Sequence, residues 1–118
     1  MGVQVRGGIR LTIENNDASD SGPDLPKGPG NTVRAAGFTL QNVSQTKVTN
    51  NHAERNGRGI MIRAFSQDYA DRGYPAISDL LVDQNHFTCS TVPDGDMVPS
   101  APPAGVVYGK NHTGCDGK

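Results

Sequence analysis

The chain has 118 residues and a formal charge of −1, with 11 Lys and Arg set against 12 Asp and Glu. That balance supplies no clustered cations to neutralise phosphates, which excludes the usual electrostatic footprint of a nucleic-acid binder. With 15 Gly, 8 Pro, no Trp and 34% apolar residues, a helical bundle is excluded, and one all-β domain of short strands and many turns is expected.

In chain order, MGVQV lacks the basic-then-apolar order of a secretory signal, and Arg6 stands where a myristoylation signal needs Ser or Thr. An ordinary cytosolic start, or a start inside a longer parent chain, is expected. GIRL at 8–11 opens on glycine and alternates inside and outside, as a short strand does. IENND at 13–17 follows, and then a turn-rich insertion at 18–31. GFTL at 37–40 leads to VTNNH at 48–52, and GIMI at 59–62 leads to a second insertion at 64–76. VDQNH at 82–86 precedes a third insertion at 90–104, and GVVY at 105–108 runs into YGKNH at 108–112. No apolar run approaches the roughly 18 residues of a membrane-spanning helix.

The four asparagine segments share one pattern: an apolar or aromatic residue, two variable positions, Asn, then His or Asp. Their asparagines are Asn16, Asn51, Asn85 and Asn111, at intervals of 35, 34 and 26 residues, and Gly37 and Gly59 are 22 apart. Such a repeat suits a parallel solenoid, in which each coil lies about 4.8 Å from the last and equivalent residues form columns. Ile9, Phe38, Ile60 and Val106 are expected to form one apolar column, and Leu11, Leu40, Ile62 and Tyr108 the next. Stacked asparagine amides can bond to one another and to the turn backbone, so the repeated Asn has a structural task.

On these glycine-led strands and asparagine turns, residues 5 to 115 resemble the pectin-lyase-like right-handed parallel β-helix superfamily, including its carbohydrate-binding and sugar-hydrolysing repeat family. The resemblance implies about four to five coils with loop insertions, a carbohydrate partner and no cofactor other than calcium. A small β-sandwich is the alternative fold. If the last two repeats stack, Cys89 and Cys115, each four residues beyond its asparagine, come within disulfide range, and free buried thiols are the other reading. A disulfide would favour an extracellular or periplasmic site.

Three chemical candidates follow. His52, His86 and His112, with Asp17 in the fourth place, form a column that could hold a metal or could simply stack at a wet corner. On the outer strand face, Arg10, Thr39, Met61, Arg63 and Val107 should point outward, a set poor in carboxylates. The insertion AFSQDYADRGYPA follows Arg63 and carries Phe65, Tyr69, Tyr74, Asp68, Asp71 and Arg72. Aromatic faces and charges beside a groove suit an acidic oligosaccharide, with Arg10, Phe65, Tyr69 and Tyr74 binding and Arg63, Asp68, Asp71 and Arg72 nearest any chemistry. The same aromatics could instead fold the loop onto the solenoid side. Two sequons, at Asn42 and Asn111, match the N-glycosylation pattern.

The polygalacturonase, pectate lyase and epimerase motifs are absent from the chain. Two functions are therefore carried forward. One is a polysaccharide-binding or structural β-helix module without catalysis, and the other is a small or truncated polysaccharide lyase or hydrolase. A short solenoid has exposed end coils, so association with itself or with the remainder of a larger β-helix chain is expected, and neither nucleic acid nor membrane is a partner.

Overall fold

The computed structural model describes residues 3–20, 36–63, 67–91 and 95–115. Alternating apolar residues between turn formers produce ten strands, all but β3 short, and one short helix among the described residues: β1 Val3–Ile9, β2 Thr12–Glu14, β3 Ala36–Thr49, β4 His52–Glu54, β5 Arg58–Arg63, α1 Gln67–Asp71, β6 Ser78–Asp83, β7 His86–Thr88, β8 Met97–Val98, β9 Val106–Tyr108 and β10 His112–Thr113. Every pairing among them is parallel. The antiparallel neighbours that a small β-sandwich requires do not occur among the described strands.

The chain runs through successive tiers, each laid parallel on the one before. One sheet has the order β8-β5-β3-β6-β9, with β1 and β2 both on the free side of β3, and a second has the order β10-β7-β4. Register defines the columns: Val3, Phe38, Ile60 and Met97 in one, and Ile13, Val48, Val82 and Tyr108 in another. Phe38, Leu40, Ile60, Val48 and Val82 from the first sheet and Ala53 and Phe87 from the second are fully buried. The Phe38 and Phe87 rings meet edge to face at 6.1 Å, so the inner faces of the two sheets close on one core.

The corners between strands repeat a left-handed backbone. Arg10, Gln45, Asp79 and Gly105 occupy one corner in successive tiers with φ of 58°, 51°, 50° and 81°. Asn15, Asn50 and Gln84 occupy a second, and Asp20, Arg55 and Cys89 a third. A side chain in this region costs roughly 1 to 2 kcal/mol. The cost is met because each turned residue leaves its neighbours in register for ladder bonds, as where the Arg10 amide donates to Ser44 O at 3.0 Å.

The register corrects part of the expected apolar columns. Gly37 and Gly59 do share a column, and Phe38 pairs with Ile60 and Leu40 with Ile62. Ile9, however, pairs with Ser44 and is 45% exposed, while Val106 pairs with Leu80. Gly105 is a corner residue at positive φ and Gly37 a strand residue at a crowded contact, so their identity does not imply equivalence. Thr39 is buried, not outward and open, because it sits between the longer Gln4 and Met61 side chains of neighbouring strands on its face. Residues 18–20 belong to the first tier and not to an insertion: the Ala18 and Asp20 amides donate to His52 O and Glu54 O. The span 90–104 also contains β8, paired with β5.

Candidate functional site

The asparagine corner is a continuous ladder. Nδ2 of Asn16 donates to Oδ1 of Asn51 at 3.0 Å, Asn51 to Asn85 at 3.0 Å, and Asn85 to Asn111 at 2.9 Å. Each receiving oxygen also accepts the backbone N–H of the preceding asparagine. The second amide hydrogen of Asn51, Asn85 and Asn111 goes to Ile13 O, Val48 O and Val82 O, each at 2.9 Å. The amides of Asn51 and Asn85 are consumed by the ladder, each donating both hydrogens and accepting twice at its oxygen. Asn42 is fully buried, which removes it as a glycan acceptor, and Asn111 is committed to the ladder.

The histidines do form a column, His52 against His86 and His86 against His112, with ring centroids 6.2 and 5.2 Å apart. Asp17 bridges to the top of it, its Oδ2 3.4 Å from His52 Nδ1. The hydroxyl of Ser19 and then His52 hold the Asp17 carboxyl below its ordinary pKa. Parallel stacking sets the rings in a line, and among the described residues no group of three or more His, Cys, Asp or Glu comes together around one point.

The next column down the chain is held by two different means. Asp20 and Arg55 pair through Nε to Oδ1 and through Nη2 to Oδ2 at 3.0 Å, which lowers the pKa of Asp20 and raises that of Arg55. Two tiers on, Cys89 and Cys115 are joined as a disulfide with Cα atoms 4.5 Å apart, close to the spacing that stacking predicts.

The loops give the chain a concave apolar site. Two of them rise from the same flank, one between β5 and β6 and the other between β8 and β9. The first is pinned by Tyr74, whose ring lies so close over Gly7 that any Cβ there would meet it within 2.5 Å. Tyr74 also meets the Tyr69 ring edge to face at 5.6 Å, and the Arg72 guanidinium lies 5.6 Å from the Tyr69 centroid. The second is pinned by the Tyr108 hydroxyl, which donates to Pro99 O at 2.6 Å. Burial pushes the Tyr108 phenol up to about 12, so it stays protonated and able to donate. Gly105 lets the loops approach, since a Cβ there would stand 2.5 Å from Ile77 O.

Between the loops lies a groove of about 380 Å³, walled by Ile62, Ala76, Ile77, Pro99, Pro103 and Ala104, with Arg63 beside it. A largely apolar concavity of this size, with Arg63 the polar residue among its described lining, has the size and character of a small-ligand site. Among the residues expected to act, Arg63 is at this groove. Asp68, Asp71 and Arg72 lie on or next to α1, exposed, with Gln67 Nε2 donating to Asp71 Oδ1 at 2.9 Å. Tyr69 and Tyr74 pack on each other, Arg10 stands on the first tier while Arg63 is on the third, and Phe65 lies outside the described residues. Sequence reasoning missed the wall residues Ile77, Pro99, Pro103 and Ala104, for which the proline-rich run 99–103 was the available signal. No protein-family model, no curated protein and no solved structure matches the chain, so the site rests on this geometry alone.

Proposed function

We propose that this chain is a short right-handed parallel β-helix of the pectin-lyase-like kind, acting as a non-catalytic module that binds acidic carbohydrate on its loop-bearing flank. The observation that carries the reading is the make-up of the groove: Arg63 stands beside it, and no described lining residue is a carboxylate. Glycoside hydrolysis ordinarily needs a pair of carboxyl groups flanking the bond, roughly 5 to 9.5 Å apart. Asp68 and Asp71 are exposed and outside the groove lining, and Arg10 is tiers away, so the chemistry-bearing residues scatter while one cation stays with the cavity. The 22-residue step from Phe38 to Ile60, the all-parallel register and the asparagine ladder support the β-helix assignment. The disulfide supports an oxidising compartment, extracellular or periplasmic.

A glycan-array screen paired with an ultraviolet assay for unsaturated uronate release tests this reading. Binding of acidic glycans without new absorbance is the expected result. Growing absorbance would sink the non-catalytic assignment, and silence in both would remove the carbohydrate partner.

A further inference from the structure

The walls of the groove and the expected ligand stand in tension. Ile62, Ala76, Ile77, Pro99, Pro103 and Ala104 offer neither an aromatic face nor a side-chain hydrogen-bond donor. A bare sugar ring placed there would lose its water without replacement bonds, and each unpaired hydroxyl opposes binding. Arg63, in contrast, holds a permanent cation beside the groove, which a purely apolar ligand would leave unanswered. Both walls are set before any ligand arrives, through Tyr74 on Gly7, Tyr108 on Pro99 and the close approach of Gly105 to Ile77.

We infer that the groove reads an O-acylated acidic sugar unit: a short ester such as acetyl fills the apolar cleft, and the sugar carboxylate pairs with Arg63 at its edge. The two halves of the ligand match the two halves of the site. The acyl group takes apolar contact that a hydroxyl cannot use, and the guanidinium can form two parallel bonds to a carboxylate. The inference rests on the acidic-carbohydrate reading and adds the acyl group to it.

The test is calorimetric titration of the 118-residue chain with partially O-acetylated oligouronides and with the same sample after saponification. The acetylated sample is expected to bind about tenfold more tightly, the discrimination a small apolar group commands in an apolar pocket. Ala104→Phe, which fills the cleft, should erase that preference, so that the acetylated and saponified samples bind the variant with equal affinity. Ala76→Phe repeats the test from the opposite wall, and circular dichroism verifies that each variant is folded. Arg63→Gln should weaken both samples alike. Equal affinity of the native chain for the two samples overturns the acyl assignment while the acidic-carbohydrate reading stands. Failure of both samples to bind overturns both readings. A preference that survives in both folded groove-filling variants also overturns the assignment, because the acyl group would then lie elsewhere.

Discussion

The asparagine corner and the loop-bearing flank belong to the same tiers, yet they are stabilised in opposite ways. At the corner, one residue type recurs at one position in every tier, and each copy satisfies the next through short amide bonds. On the flank nothing repeats: two loops of unlike sequence are held by single anchors, Tyr74 on Gly7 and Tyr108 on Pro99. Repetition yields a column whose inner amides, at Asn51 and Asn85, are fully bonded, and interruption yields an apolar cavity. Binding on such a scaffold belongs where groups are left that the fold has not already used.

The largest effect is expected at the ladder. Asn51 is 1% exposed and serves Asn16, Asn85 and Ile13 O at once, so Asn51→Ala strands several buried groups together. A loss of about 3 to 5 kcal/mol in denaturant unfolding is expected. Next is the covalent tie between the last tiers. Replacing Cys89 and Cys115 by Ser opens a loop with a sequence separation of 26 and should lower stability by about 3.5 kcal/mol in the chain-entropy model. Near-native stability after that change would mean that stacking alone holds the final tier.

Smaller effects are expected on the flank, and there they should separate binding from folding. Gly105→Ala places a Cβ at φ +81° against Ile77 O, at a cost of about 2 kcal/mol. The same change should push the two loops apart and weaken binding in the groove more than it shifts the unfolding midpoint. Tyr108→Phe removes the bond to Pro99 O and should cost about 1 kcal/mol. Because the folded phenol titrates at about 12, above its ordinary value near 10, its contribution is complete below pH 10 and is lost as pH rises toward 12. Native protein should therefore lose stability across that window, and the Phe variant should lack this component in pH-dependent unfolding.

The ladder was legible in the sequence because the same local chemistry recurs with the same neighbours: an apolar residue three positions before each Asn and a His or Asp after it. The Cys89 and Cys115 pairing was legible for the same reason, as a shared offset from that landmark. The glycines misled because glycine answers several unlike demands, a crowded strand contact at Gly37 and a positive-φ corner at Gly105. The other corners of that column, at Arg10, Gln45 and Asp79, carry side chains with no turn signature in common, so nothing in their identity announces the shared backbone. β8 was hidden because Met97 and Val98 are flanked by Asp96 and Pro99, and two residues show no periodicity.

The all-β character, the repeat and the contact between the final tiers were readable from residue order alone, because parallel stacking turns equal offsets along the chain into neighbours in space. The candidate site, by contrast, emerges only in three dimensions. The groove is formed mainly by loops from different tiers, from residues such as Ile77, Pro103 and Ala104 whose types are common and whose spacing repeats nowhere. Their meeting depends on Tyr74 reaching Gly7 and on Gly105 reaching Ile77, non-local contacts of shape that no interval in the sequence records.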